Sequence, residues 1–140
     1  MANPWDSYLT HLSAHKPDES PPVAESAIVG LDGLVWAANG SLTKITASEV
    51  AALTAADRLP ILTGGATLGG VSCTVVRDWF QDDGTVQLAT KTGDPNTVQC
   101  ISVAVSKTAV VIVKGHMKVP GGSLAERPLK IANYLRQQNM

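Results

Sequence analysis

Asp-Gly occurs twice in this 140-residue chain, as Asp32-Gly33 and Asp83-Gly84, each time between two short runs rich in apolar or β-branched residues. Glycine enters the positive-φ region without steric cost, so each dipeptide marks a hairpin turn and makes the flanking runs antiparallel neighbours. Ser26 to Leu31 and Leu34 to Ala38 form the first pair, and Val71 to Phe80 with Thr85 to Lys91 the second. After a break at Gly93-Asp94-Pro95-Asn96, Val98 to Ser106 and Ala109 to Lys114 add two more candidate strands. About five to seven antiparallel strands are expected.

The two ends of the chain read differently. Asn3 can cap a helix and Pro4 suits its first position, which predicts a helix from Pro4 to about Ala14 with Trp5, Tyr8, Leu9 and Leu12 on one face. A polar, proline-rich loop over residues 16–25 separates it from the first strand. Thr46-Ala-Ser-Glu49 is a capping box and predicts a helix to about Ala56, after which Pro60 and the glycines around Gly64 interrupt the pattern. Beyond Gly121-Gly122, Ile131, Ala132 and Leu135 make an apolar helical stripe. Ser123 and Glu126 have capping-box spacing, but a helix started there would carry Pro128 inside it, so the expected start is near Pro128. Helices at both ends of a strand-rich middle give an α+β class, one domain over residues 1–140, with the terminal helices packed on an antiparallel sheet.

Several chemistries are excluded by what the chain lacks. The formal net charge of -1 leaves no global basic field, so nucleic acid is not an expected partner. Cys73 and Cys100 are isolated, without metal or redox spacing, and read as buried thiols in a reducing compartment. The N-terminus has Pro4, Asp6 and His11 where a secretory signal needs a basic then an apolar stretch, and no apolar run reaches the ~20 residues of a membrane span. His11 and His15 stand four apart but have no third ligand, so no metal site is expected. Gly64 to Gly70 lacks the Gly-Lys-Ser/Thr ending of a phosphate loop, no Gly-x-Ser-x-Gly elbow occurs, and Asp82 and Asp83 belong to turn chemistry. Neither catalysis nor a cofactor is expected.

Only six aromatic residues are present, and Trp5, Tyr8, Trp36 and Tyr134 stand near segment ends. Trp and Tyr offer rigid apolar area with a donor at the rim, the chemistry of a groove that reads proline-rich peptides. Helical spacing alone fits ordinary core packing better, because most apolar helix faces are core.

Taken in order, the residues resemble the profilin family of actin-monomer and proline-peptide binding proteins. The matching pieces are Trp5-Asp-Ser-Tyr8, Ala27-Ile-Val-Gly30 with Val35-Trp-Ala-Ala38, Ile45-Thr46 with Glu49-Val50, and Thr67-Leu-Gly-Gly70 with Cys73. They continue through Arg77-Asp78, Asp83-Gly84, Lys107-Thr108, Gly121-Gly122, and Tyr134-Leu135 with Met140. The resemblance implies a central antiparallel sheet with the terminal helices on one face and shorter helices on the other. It implies a polyproline shelf of Trp5, Tyr8, Trp36 and Tyr134 with Met140 at its edge. Monomeric actin would meet Arg77, Lys91, Val119, Gly122, Glu126 and Lys130, and phosphoinositide headgroups would meet Arg77, Lys91 and Arg136. Proline-rich assembly factors such as formins are the other implied partners, and the implied setting is a monomer in the cytoplasm at the actin cytoskeleton.

The chain departs from vertebrate members at Pro120, where they carry His, at Glu126, where they carry Lys, and at Lys130, where they carry Glu. Thr85 and Ala89 also stand where charges are usual, while the Tyr-Leu-x-x-Gln-x-Met ending looks like plant and other non-vertebrate members. Two alternatives stay open: a proline-peptide adaptor of the same fold with weak or no actin binding, and a small-ligand sensor with an enclosed apolar pocket between helix and sheet.

Overall fold

The computed structural model describes residues 5–18 and 20–140. Its frame is one antiparallel sheet of seven strands: β1 (Val23–Gly30), β2 (Val35–Ala38), β3 (Ala66–Leu68), β4 (Val71–Trp79), β5 (Thr85–Thr90), β6 (Cys100–Val105) and β7 (Ala109–Gly115). In space they run β2-β1-β7-β6-β5-β4-β3. Helices α1 (Asp6–Ser13) and α4 (Glu126–Gln137) lie on one face, and α2 (Ala47–Leu53) and α3 (Leu59–Gly64) on the other. The α+β architecture is the one expected.

The central strands show why. Every residue of β7 is buried, with Val110 and Ile112 packed among Leu42, Val50 and Leu53, and Val111 and Val113 packed among Leu12, Ala132 and Leu135. A strand covered on both faces reads as a continuous apolar run, whereas β4, nearer the edge, alternates buried Cys73 with exposed Ser72 and Thr74. Both Asp-Gly sites turn the chain, with Gly33 at φ 89° and Gly84 at φ 80°. Each turn is wider than a two-residue hairpin because an aspartate holds it: Asp32 Oδ1 accepts from Leu34 N at 3.0 Å and Asp83 Oδ1 from Thr85 N at 3.0 Å.

Several boundaries differ from expectation, each for a local reason. The Asn3–Pro4 helix start lies outside the described residues. Strand β1 begins at Val23, inside the stretch expected to be loop, because Glu25 is tied to the sheet region: its Oε1 accepts from Ser41 Oγ at 2.6 Å, with Lys114 Nζ 3.8 Å away. Helix α3 was not expected; Pro60 occupies its first turn, where a missing N–H breaks no intrahelical bond. Strand β3 is only three residues long, too short to show a period. Helix α4 starts at Glu126, with Pro128 as its third residue and again within the turn that needs no donor. The Ser123–Glu126 capping box does not form; Ser123 lies in a 3-10 turn and donates to Pro120 O at 2.8 Å.

The expected capping box at Thr46 is present and does more than start α2. Glu49 Oε1 accepts from Thr46 N at 2.9 Å, and the same carboxylate accepts from Gly69 N and Gly70 N, both at 3.0 Å, fastening α2 to the β3–β4 turn. Burial pushes the Glu49 carboxyl up, but these amides and the Thr67 side chain outweigh it and hold it below the ordinary value.

Two arginines fix the remaining helix placements. Arg127 Nη1 donates to Leu12 O at 2.9 Å and Ala14 O at 2.6 Å, satisfying carbonyls at the end of α1 and binding that end to the start of α4. On the opposite face, buried Arg58 makes a bidentate pair with Asp78 (Nε–Oδ2 3.0 Å, Nη2–Oδ1 2.9 Å), donates to Leu53 O at 2.7 Å and stacks 4.1 Å over Phe80. Those hydrogen bonds hold the Asp78 carboxyl below its usual value despite burial.

Two outcomes follow from this clamping. Arg127→Met, which keeps the aliphatic stem but leaves two carbonyls without their donor, is expected to lower stability by about 1–3 kcal/mol in urea melts. Asp78→Asn is expected to cost about 3 kcal/mol or more at neutral pH. Because Asp78 has a lower pKa folded than unfolded, its contribution is complete above about pH 4 and is lost as pH falls toward the folded-state value. Chemical denaturation across that range therefore shows a smaller loss of stability on acidification for Asp78→Asn than for the natural sequence.

Candidate functional site

Trp5 and Tyr8, three residues apart at the start of α1, stand on the side of the helix that continues to buried Leu12. Strand β2 brings Trp36 beside them, and α4 brings Tyr134 from the far end of the chain. The rings form an unbroken series, with centroid separations of 4.7 Å for Trp36–Trp5, 5.1 Å for Trp5–Tyr8 and 6.2 Å for Tyr8–Tyr134. All three pairs are tilted, in the offset range that aromatic pairs prefer.

The rings are neither scattered nor covered. Trp5, Tyr8, Trp36 and Met140 are half-buried against the α1–α4 core, and Tyr134 is 47% exposed, so each has one apolar side supported and one open. Gly30 makes room for the indole of Trp36: a Cβ there would stand 3.1 Å from Trp36 Nε1 and 2.5 Å from Asp32 Oδ1. Burial, the neighbouring Tyr134 and a side-chain hydrogen bond to it all push the Tyr8 phenol up, so it keeps its proton at neutral pH and remains a donor.

The end of α4 is held to the sheet by main-chain groups. Asn139 takes φ 60°, its N–H donates to Arg136 O at 3.1 Å and Met140 N donates to Leu135 O at 2.8 Å, which is a Schellman closure with Asn in place of Gly. Met140 O then accepts from Thr108 N at 2.6 Å, Ser106 Oγ at 2.7 Å and Thr108 Oγ1 at 2.9 Å, all on the β6–β7 turn. Arg136 donates to Val105 O at 2.6 Å and Asp83 O at 2.7 Å.

Past Tyr8 and Tyr134 the surface opens into a groove of about 610 Å³ between α1 and α4, lined further by Ser7, His11, Ala14, Arg127, Lys130 and Ile131. It lies between two helices at the surface, unlike the helix–sheet pocket of the small-ligand alternative. Among the described residues no group of three His, Cys, Asp or Glu side chains could hold a metal ion.

The residues expected to meet actin are distributed unevenly. Arg77 and Gly122 share a smaller cleft of about 210 Å³ with Val76, Gln87, Leu88, Cys100 and Gly121. The Arg77 guanidinium lies 5.6 Å from the Trp79 ring, and Val76 and Trp79 are exposed beside it. Lys91 sits apart at the end of β5, its Nζ against Gly65. Val119 packs toward the α1–α4 core, Glu126 is exposed at the start of α4, and Lys130 lines the groove with the tyrosines. The three cations expected for phosphoinositides do not share either cavity, and Arg136 is engaged with main-chain oxygens. Cys73 is fully buried, and burial pushes its thiol up to about 11, but Cys100 is half-buried at the cleft rather than in the core.

Residue pattern alone did not point to His11, Arg127 and Ile131, although helical spacing contained a signal. His11 is three residues past Tyr8, and Ile131 three before Tyr134, so each occupies the next turn on the same face. Gln87 and Cys100 could not be found that way, because strands β5 and β6 reach the cleft through sheet pairing.

The profilin family model matches residues 3–140. Profilin-1 of Bos taurus is 34% identical over 140 residues, and profilin-1 of Homo sapiens 31% identical over 139, each match covering 95% of this chain and 96% of the relative. Among solved structures, mouse profilin IIa in complex with a double repeat from the FH1 domain of mDia1 superposes with a TM-score of 0.86 at 31% identity, covering 98% of this chain and 99% of that one. Human profilin II superposes with a TM-score of 0.83 at 34% identity, covering 95% and 98%. With matches that span almost its whole length in both sequence and fold, this chain belongs to the profilin family.

Proposed function

We propose that this protein binds monomeric actin on one surface and proline-rich segments on another, and so regulates actin polymerisation in the cytoplasm. The observation that carries the reading is the continuous, half-open series of rings from Trp36 through Trp5 and Tyr8 to Tyr134. At ~3.1 Å per residue, those ring-to-ring steps accommodate at most about five residues of a polyproline II helix. Such a ligand has little conformational freedom left to lose, and its unpaired carbonyls suit indole and phenol donors. Mouse profilin IIa, 31% identical to this chain, was solved with an FH1 repeat, which supports formin-type segments as the ligand class.

The actin surface is assigned to the cleft at Arg77 and Gly122 with its exposed neighbours Val76 and Trp79. It is separate from the ring series, so one molecule could hold a monomer while tethered to an assembly factor, raising the monomer's effective concentration there. The mechanism is coupled binding without a covalent step. The grouping of Lys130 with the tyrosine groove rather than with Arg77 favours a second reading, an adaptor that retains proline binding and lacks useful actin affinity.

Trp5→Ala is expected to weaken polyproline binding about thirtyfold or more, corresponding to a loss of about 2 kcal/mol for a hot-spot aromatic. Isothermal titration measures it, with circular dichroism to establish that α1 remains folded; a folded variant of unchanged affinity would remove Trp5 from the site. For the actin surface, a molar excess of the protein is expected to slow spontaneous assembly of pyrene-labelled actin. Unchanged assembly kinetics would discard the actin assignment and leave the adaptor.

A further inference from the structure

The groove that extends the ring series has a charge character of its own. His11, Arg127 and Lys130 line it, and no carboxylate does among the described residues. Lys130 is exposed and has no ion pair or hydrogen bond within the described residues. Arg127 uses Nη1 on Leu12 O and Ala14 O, main-chain oxygens, and makes no ion pair with a carboxylate among the described residues. Beside an apolar floor that includes Ile131 and Ala14, the surface is thus complementary to a chain that is extended, partly apolar and locally anionic.

We propose that this groove selects among proline-rich ligands by reading an aspartate or glutamate that flanks the proline run. The proposal rests on the ring series being a proline-peptide site and assigns it a specificity determinant. Helix geometry sets the spacing. Tyr8 meets Tyr134 at one end of the α1–α4 contact while Arg127 reaches Leu12 and Ala14 at the other, so the helices run antiparallel along the groove. At ~1.5 Å per residue, Lys130 stands about 6 Å and Arg127 about 10 Å from Tyr134 along α4. A polyproline II ligand advances ~3.1 Å per residue, which places the recognised carboxylate about two to four residues beyond the prolyl ring seated at Tyr134. Lys130 supplies the mobile charge, Arg127 a fixed one, and His11 a ring N–H from the facing helix.

The test compares synthetic peptides that share one proline run and differ only in the flanking residues, which are glutamates, serines or lysines at that spacing. One set carries them before the run and a second set after it. In one of the two sets, the glutamate peptide is expected to bind about three- to tenfold more tightly than the serine peptide at low salt, as partly exposed charge pairs allow, with the advantage shrinking at high salt. Lys130→Glu is expected to reverse the order, favouring the lysine peptide. Equal affinities for glutamate and serine peptides in both sets would overturn the proposal while leaving the ring series intact, as would an unaltered glutamate preference in folded Lys130→Glu. Failure of the natural protein to bind any of the peptides would overturn the proline-binding reading itself.

Discussion

The structure depends on burying the β1–β7–β6 face of the sheet under two helices that come from opposite ends of the chain. Ile28, Ala104, Val111 and Val113 present that face, and Leu12 of α1 and Ala132 and Leu135 of α4 close over it. Neither helix has the length to persist alone in water: α1 has eight residues and α4 twelve, at or below the margin of about 12–15. Their shared apolar floor is therefore the reason that Trp5 and Tyr134, 129 positions apart in the sequence, occupy one surface. The rings line the helix contact, so the interaction that completes the core also makes the site.

The two faces of the sheet are secured differently. On the ring side, hydrophobic contact is supplemented by guanidinium and hydroxyl groups donating to main-chain oxygens, through Arg127, Arg136, Ser106 and Thr108. On the α2–α3 side, carboxylates take the leading part, with Glu49 gathering amides from two separate segments and Asp78 pairing with Arg58. Both arrangements fix backbone placement where the elements are short, and short elements are what this fold uses away from its centre.

Much of this was legible from residue order because the decisive signals were local. Asp32-Gly33 and Asp83-Gly84 turned the chain where expected, the Thr46–Glu49 capping box formed, and the spacing of Trp5, Tyr8 and Leu12 gave α1 its inward face. The misses share a physical cause, namely that tertiary contact overrode local preference. Glu25 reads as a loop residue until Ser41 and Lys114 give it partners, Pro60 reads as a break until it is placed in a first turn, and α4 starts two residues ahead of Pro128 rather than at it. Of the site, the four rings were visible in the pattern and family resemblance, whereas the cleft formed by Arg77, Gln87, Cys100 and Gly121 arises from strand pairing that no local window contains.

The choice of main-chain oxygens as partners for Arg127 and Arg136 has a consequence for how the molecule meets acid. Leu12 O, Ala14 O, Asp83 O and Val105 O are amide carbonyls, which gain no proton at any pH a cell or its compartments reach. The carboxylates held below their usual values, Asp78 with Arg58 and Glu49 with the amides of Gly69 and Gly70, lie on β4 and against the β3–β4 turn, near the opposite edge of the sheet from β2 and Trp36. The arginine anchors that hold the ligand-facing helices therefore have no titratable partner to lose on acidification.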